Sequence, residues 1–290
     1  MKNPQEQRLR PVVSPQNALL KQARRAFQRG ELTAGGECAV EGVRLVEEAI
    51  RSGLHLTAVL FSESGRARAG RLLPQLAAQV ETLLLPDKLF AGVVPSDTPQ
   101  GVAALVRLKG YKLDDLLGDG GHSSLLVAVA GVQDPGNLGT ILRSAEAFGA
   151  TGVLLAEKTV SPYNSKAVRA SAGSIFRLSL VQQELSGALP FLRERGLRLL
   201  ATSSHKGTPV SEAQLTGPLA LLVGSEGAGL PRETMGQVDE VVAIPHSPKV
   251  ESLNAGVAAS IVLYEAARQR NSFHHRDSEA QRKANSLNKS

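Results

Sequence analysis

Apolar residues follow two different patterns along this chain, and the change falls near residue 123. Over residues 12–107, helical spacing alternates with short runs typical of strands. NALLKQARRAFQRG predicts an amphipathic helix that ends at Gly30, and ECAVEGVRLVEEAIRSG predicts a strand and then a helix that stops at Gly53. LTAVLFS, RLLPQLAAQVETLLLP and GVAALVRL add strands and a further helix. The pattern predicts a small α/β domain.

Strands downstream of residue 123 are apolar throughout. The runs are SLLVAVAGV, GVLLAE, LRLLATSS, PLALLVGSE and VVAIP. Continuous apolar strands separated by helical stretches indicate a parallel sheet covered on both faces. We therefore expect a second α/β domain over 123–270, joined to the first by a linker over 108–122 that is rich in glycine and charge. The polar segment 271–290 is expected to be a disordered tail.

Composition narrows the class of protein. Of the 290 residues, 42% are hydrophobic, and no apolar run approaches the roughly 18 residues that cross a bilayer. The N-terminal segment MKNPQEQRLRPVV lacks the apolar core of a secretory signal. The single cysteine, Cys38, excludes an internal disulfide framework and a Cys-based zinc site, and is expected to be a packing residue. We expect a cytoplasmic protein without membrane or metal partners.

The distribution of charge favours a nucleic-acid partner. The formal net charge is +6, and residues 1–30 hold seven Lys or Arg against one acid, Glu6. Such an excess attracts a polyanion through counterion release, although ordinary surface solvation is the alternative. With no Trp, three Tyr and seven Phe, contact with phosphates and RNA shape is expected more than base stacking.

Three motifs fall at the carboxyl ends of predicted strands, where parallel α/β sheets bind ligands. In the first, VQDPGNLGTILRSAEAFG, Asn137 is expected to cap a helix that Gly149 ends. Arg143 lies off the buried face of this helix. The plain alternative for Arg143 is a surface ion pair with Glu146, three residues on.

The second and third motifs lie late in the chain. In LLVGSEGAGLP, three glycines surround Glu226 and let the backbone approach a ligand closely, but the spacing is not that of a dinucleotide fingerprint. In VVAIPHSPKVESLNAGVAASIVLYEAARQR, Ser252 is expected to cap a long helix rich in small residues, which could equally be an ordinary C-terminal helix. His246 is interpreted as a solvated loop residue, and Lys249 as either a phosphate contact or an exposed lysine.

Together these motifs resemble one family. Asn137 with Arg143 six residues later, then GSEGAGLP, then IPHSPKVESLN before a small-residue helix, closely resemble the SpoU (TrmH-like) branch of the SPOUT RNA methyltransferases over about 125–270. Asn17 and VEGVRLVEEAI resemble the substrate-binding domain of that family, which is similar to the L30e ribosomal fold. Pro248 departs from the pattern, because the family usually has glycine there.

The resemblance implies a fold and an activity. The second domain would be a SPOUT domain, a parallel sheet whose C-terminal part threads a deep trefoil knot, and the first an L30e-like RNA-binding domain. The implied reaction transfers a methyl group from S-adenosylmethionine to a ribose 2′-hydroxyl of RNA, with 23S ribosomal RNA as the favoured substrate. The backbone at Gly224, Ile244 and Leu253 would hold the adenosine part of the cofactor, and the enzyme would be a homodimer.

The resemblance also assigns roles to side chains. Arg143 would be central, either as a base or as a group that stabilises the alkoxide and grips a phosphate; we favour the second role because arginine effectively never loses its proton. Asn137 would orient Arg143, while Glu226, Ser252 and Asn254 would position substrate or cofactor.

Three other functions compete with this one. The substrate could be tRNA, or the protein could be a non-catalytic RNA-binding protein of the same fold. A nucleotide-dependent oxidoreductase is disfavoured by the glycine spacing.

Overall fold

The computed structural model describes residues 8–118, 124–204, 206–225 and 227–270. These residues form two compact units, which are described separately. One unit contains the described residues up to Gly110 together with Val160–Arg177, and the other contains Tyr111–Thr159 together with the described residues from Leu178 onward.

The helices and strands are numbered here in chain order. The strands are β1 (Arg10–Pro11), β2 (Glu37–Glu41), β3 (His55–Ser62), β4 (Glu81–Leu85), β5 (Val102–Arg107), β6 (Leu125–Val129), β7 (Gly152–Leu155), β8 (Leu180–Gln182), β9 (Arg198–Ser203), β10 (Thr208–Pro209), β11 (Leu219–Val223) and β12 (Glu240–Ala243). The α-helices are α1 (Ala18–Arg29), α2 (Val43–Arg51), α3 (Arg66–Leu72), α4 (Asp87–Ala91), α5 (Pro135–Ala147), α6 (Ser165–Ala170), α7 (Leu185–Glu194), α8 (Arg232–Met235) and α9 (255–270).

The first unit is built on a mixed five-stranded sheet of order β1-β4-β3-β5-β2, in which β5 runs antiparallel to both of its neighbours. Helix α1 begins where the Asn17 side chain accepts hydrogen bonds from two backbone amides, and it ends at Gly30 with φ 62°. Helices α1 and α4 share one apolar cluster with alternate residues of the strands, such as Ala58 and Leu60. Because strand side chains alternate, the buried Val59 and Phe61 face the opposite side, which α2 and α3 cover.

The segment 160–177 packs with the first unit, although it lies far along the chain within the span 123–270. The Ser161 hydroxyl donates a 2.5 Å hydrogen bond to the carbonyl of Gly30, at the end of α1. Arg177 forms a 3.0 Å ion pair with Glu48 of α2. The boundaries of the compact units therefore differ from the boundary near residue 123 that the sequence patterns predict.

The second unit contains the predicted parallel sheet. Its seven strands have the order β10-β12-β9-β11-β6-β7-β8, and every neighbouring pair is parallel. The central strands β6 and β11 are buried at all five positions, which explains their continuous apolar sequences. The sequence patterns did not identify the short strands β8 and β10. No described helix combines the length and apolarity needed to cross a membrane.

Candidate functional site

A cavity of about 350 Å³ lies at the carboxyl ends of three neighbouring strands, β12, β9 and β11. Residues at the end of each strand or directly after it line the cavity, together with the segment that precedes α9. They include Thr202, Ser203, Ser204, Gly224, Ser225, Gly227, Ala228, Gly229, Leu230, Ile244, His246, Ser252 and Leu253. Small-molecule sites typically have this size and this position in parallel α/β sheets. The cavity is therefore the candidate ligand site.

Four residues singled out in the sequence come together on this wall. Gly224 follows β11, Ile244 follows β12, and Ser252 and Leu253 precede α9. They are separated by up to 29 positions in sequence, and the parallel arrangement of β11 and β12 on either side of β9 brings them to one edge. The structure thus groups the residues expected to contact the cofactor.

Gly224 occupies a position without room for a side chain. A Cβ atom there would lie 2.6 Å from the backbone nitrogen of Leu230 and would also overlap the backbone of Gly229. The loop closes on itself because Gly229 donates a 3.0 Å backbone hydrogen bond to the carbonyl of Ser225. Glycine is therefore required at position 224 by the fold of the loop itself, whereas the sequence pattern predicted that it lets the backbone approach a ligand. Glu226, in the same loop, lies outside the described residues.

The cap of α5 differs from the prediction. The Asp134 carboxylate accepts a 2.8 Å hydrogen bond from the backbone amide of Asn137, so Asp134 is the N-cap and Asn137 lies inside the first turn. Proline at the first helical position favours this start, because its fixed φ suits a helix and it has no amide to satisfy. The prediction that Asn137 caps α5 was wrong. Gly149, with φ 77°, follows the end of the helix as expected.

The cap of α9 also differs. The Asn254 side-chain oxygen accepts a hydrogen bond from the amide of Val257, and α9 begins at the next residue after Asn254. Ser252, which was expected to cap this helix, instead lies on the cavity wall. The side-chain nitrogen of Asn254 donates a 2.7 Å hydrogen bond to the side-chain oxygen of Asn137. Asn254 therefore joins the third motif to the first within one chain.

Helices α5 and α9 meet along a seam of small and hydroxyl side chains. A Cβ atom at Gly256 would lie only 3.1 Å from Thr140, and the hydroxyls of Ser144 and Ser260 are 2.7 Å apart. These two contacts, one turn apart on each helix, set the register between the two helices. The seam also sets where Arg143, next to Ser144, stands relative to the third motif.

Arg143 is exposed and does not line the cavity. Within the described residues, no ion pair joins Arg143 to Glu146, so the structure gives no support to the surface-pair alternative. A side chain on the exposed side of α5 beside the seam is accessible to a large substrate.

Two other residues are placed clearly. His246 was interpreted as a solvated loop residue, but it is half-buried on the cavity wall, with a ring nitrogen 2.7 Å from the carbonyl of Ile244. Cys38 is fully buried, and burial raises the pKa of its thiol to about 12, which confirms the expected packing role. In the part of the chain that the structure describes, no group of three or more His, Cys, Asp or Glu could hold a metal ion.

Comparison with known proteins gives the family. Residues 124–264 match the SpoU rRNA Methylase family, and residues 17–104 match the MRM3-like substrate binding domain. The uncharacterized tRNA/rRNA methyltransferase slr1673 of Synechocystis sp. is 34% identical over 262 residues, which cover 89% of this chain and 93% of that protein. The chain belongs to the SpoU methylase family.

Other SpoU methylases resemble it over nearly their whole length. The 23S rRNA (guanosine(2553)-2′-O)-methyltransferase RlmP of Bacillus subtilis is 29% identical, with 88% of this chain and 98% of RlmP covered. The crystal structure of the SpoU methyltransferase AviRb from Streptomyces viridochromogenes has a TM-score of 0.77 and 31% identity, and covers 88% of this chain and 98% of AviRb. The family confirms the predicted enzyme class and excludes the oxidoreductase alternative.

The sequence patterns did not identify one wall of the candidate ligand site. Thr202 and Ser203, the last two residues of β9, and Ser204, which follows them, line the cavity, yet no role was assigned to them. The available signal was the run LRLLATSS, in which an apolar strand ends in hydroxyl residues. Its importance depends on β9 lying between β11 and β12, which the sequence does not reveal.

The two hydrogen bonds of Asn254 can be separated by mutation. Asn254→Asp keeps an oxygen for the amide of Val257 but cannot donate to Asn137, so turnover should fall about tenfold, the scale of one lost hydrogen bond, while stability is retained. Asn254→Ala loses both bonds and should also cost about 1 kcal/mol in stability, a typical cap contribution. Thermal unfolding and single-turnover methylation measure the two effects. Wild-type turnover in Asn254→Asp would show that Asn254 is only a cap.

Proposed function

We propose that this SpoU methylase transfers a methyl group from S-adenosylmethionine to a ribose 2′-hydroxyl of structured RNA, with 23S ribosomal RNA as its substrate. The observation that carries the proposal is the Asn254–Asn137 hydrogen bond, which joins the strand-end cavity to the helix that bears Arg143. A small-molecule cavity and an exposed arginine are thereby held in one fixed arrangement.

The cavity fits the cofactor. Its wall combines apolar side chains at Ile244 and Leu253 with the glycine-rich backbone around Gly224, a combination that suits an adenosine. The absence of a side chain at Gly224 lets the loop fold tightly against its own backbone at Gly229 and Leu230, and this fold shapes the wall of the cavity. Bound there, S-adenosylmethionine supplies an electrophilic methyl group on a sulfonium. AviRb, a relative of similar structure, has been crystallised in complex with the cofactor AdoMet.

The residues of the chain would supply alignment and charge. In-line transfer requires the attacking ribose oxygen to be held on the cavity side of α5, and alignment alone can contribute several kcal/mol. The 2′-hydroxyl proton would pass to solvent water as the methyl group is transferred. The Arg143 guanidinium, which remains protonated, would bind an RNA phosphate and stabilise the developing alkoxide. Asn137, held by Asn254, would orient Arg143. Ser252 and Glu226 would position substrate or cofactor.

The family resemblance implies a more specific fold than the mixed α/β first unit and the parallel sheet of the second unit. We infer that the first domain, 12–107, is L30e-like and that the C-terminal part of 123–270 threads a trefoil knot, as the family resemblance implies. The loops after β11 and β12 line the same cavity, which is compatible with such threading.

Ribosomal RNA is favoured over tRNA by two observations. RlmP, which is similar over 88% of this chain, is a 23S rRNA 2′-O-methyltransferase. The chain also carries a separate substrate-binding unit before the methylase sequence. The competing tRNA substrate becomes an outcome of the test, because several relatives are named tRNA/rRNA methyltransferases.

Mapping of 2′-O-methyl groups in total RNA from cells with and without this gene tests the proposal. Loss of one site in 23S ribosomal RNA, restored by the wild-type gene but not by Arg143→Ala, is the expected result. A lost site in tRNA would assign the other substrate. A methyl group transferred to a base, or no lost site at all, would refute ribose methylation.

We further propose that the active enzyme is a homodimer, which α9 would help to form. Val257 and Tyr264 are 46% and 55% exposed, and their spacing of seven places them on one face of α9. The Tyr264 ring packs edge-on against Phe148, with centroids 5.7 Å apart. Exposed apolar residues grouped around α9 fit a self-complementary two-fold contact.

Charges on this face should dissociate the dimer. Val257→Glu with Tyr264→Glu is expected to convert the protein to monomers in sedimentation velocity, because two carboxylates would be buried unpaired at the contact. Val13→Glu, at an apolar residue of the first unit that is 78% exposed, is the matched control and should remain dimeric. A wild-type protein that sediments as an active monomer would contradict the proposal.

A further inference from the structure

Helix α1 of the first unit carries four cations and no acid. Its sequence is ALLKQARRAFQR, and its buried face consists of Leu20, Ala23, Ala26 and Phe27. A helix face that is merely solvated usually carries charges of both signs, with each cation three or four residues from an acid. The absence of any acid from α1 leaves a uniformly positive face, which needs a different explanation.

One of the four cations has a structural role. Arg24 donates a 2.8 Å hydrogen bond to the carbonyl of Gly92, directly after α4, and so fastens α1 to the neighbouring segment. The other three, Lys21, Arg25 and Arg29, are exposed and follow one another at intervals of four. Such spacing places them in one stripe along the helix. The structure gives these three side chains no hydrogen bond or ion pair with any residue that it describes.

The stripe borders a cavity of about 440 Å³. Arg25 and Arg29 lie on its wall with Gln22, and the turn after α1 closes the other side with residues from Glu31 to Ala34. Glu31 is the one acid on this wall, so the cationic side chains outnumber the acidic ones. Two guanidiniums, one turn apart and facing a concave surface, form an arrangement suited to phosphate oxygens.

We propose that the Lys21–Arg25–Arg29 stripe binds the phosphodiester backbone of the RNA substrate, with Arg25 and Arg29 gripping phosphates at the cavity. The inference deepens the proposed function and rests on it. Phosphate contacts of this kind position an RNA without reading its sequence, in keeping with a chain that contains few aromatic residues for stacking.

The end of the stripe meets the segment 160–177. The carbonyl of Gly30, which follows Arg29, accepts the hydrogen bond from Ser161, and the backbone of Asn164 lies against Gly30. This segment belongs to the span that matches the SpoU methylase family. An RNA backbone that follows α1 to its C-terminal end therefore reaches residues of the methylase sequence within the same compact unit.

The salt dependence of RNA binding tests the stripe. The full-length double variant Arg25→Ala/Arg29→Ala should bind in vitro transcribed 23S ribosomal RNA more weakly, and the slope of log affinity against log salt should fall by about two, about one for each phosphate contact. The matched control is Arg66→Ala/Arg68→Ala, which removes two exposed arginines from α3 on the other face of the sheet. Its slope should equal that of the wild type.

A second variant separates charge from folding. Arg25→Lys/Arg29→Lys keeps both charges and should retain the salt slope, although its affinity should fall because ammonium groups lack the planar fork. The assignment of the stripe would be overturned if Arg25→Ala/Arg29→Ala had the same salt slope as the wild type. It would also be overturned if the α3 control lost as much salt slope as Arg25→Ala/Arg29→Ala. Methylation of the same RNA by the wild type is measured in parallel. Wild-type methylation with an unaltered variant slope would refute only the stripe, whereas absence of wild-type methylation would refute the proposed function.

Discussion

Replacement of Arg143 by alanine is expected to reduce turnover at least about a hundredfold, the scale of losing one well-placed donor to the transition state. Cofactor affinity should barely change, because Arg143 is not on the wall of the cavity. Single-turnover methylation and equilibrium binding of labelled S-adenosylmethionine measure the two quantities separately. Arg143→Lys should recover only part of the rate, since a point charge cannot replace the planar guanidinium.

Glu146→Gln is the control for the surface-pair alternative. If Arg143 served only to pair with Glu146, both substitutions would have the same small effect, within the 0.2–0.5 kcal/mol or so typical of such helical pairs. We expect Glu146→Gln to leave turnover close to that of the wild type. Near-normal turnover in Arg143→Ala would remove Arg143 from the mechanism.

The second large effect is expected at Gly224. A methyl group at this position overlaps the backbone of Gly229 and Leu230, and no side-chain rotation can relieve that overlap. Overpacking typically costs about 1–3 kcal/mol, which corresponds to roughly 5- to 150-fold in affinity if the loop must move out of its binding conformation. We expect Gly224→Ala to weaken S-adenosylmethionine binding by an amount near the upper end of this range.

Gly227→Ala provides a matched control in the same loop. Gly227 also lines the cavity, but a Cβ atom there would have no neighbour within 4 Å. Cofactor affinity should therefore remain close to that of the wild type. Equal binding by Gly224→Ala and the wild type, measured by isothermal titration, would show that the loop after β11 does not hold the cofactor.

Burial patterns explain why the sequence predicted the sheets well. The central strands β6 and β11 are covered on both faces, so every position is apolar and the run is unmistakable. Helix α1 was predicted with its end at Gly30 because an αL cap requires glycine. The short strands β8 and β10 lie at the edges of the sheet, where three or two residues carry too little pattern to identify.

The sequence by itself pointed to two of the loops that line the cavity, those after β11 and β12, because their polar and glycine residues after buried strands are local features. Only the tertiary structure decided how these loops combine. Asp134 and Asn254, rather than Asn137 and Ser252, cap their helices, since neighbouring residues with similar capping propensity are distinguished only by the path of the chain. The 2.7 Å contact of Asn254 with Asn137, 117 positions apart, depends on the packing of α5 against α9, which no local pattern encodes.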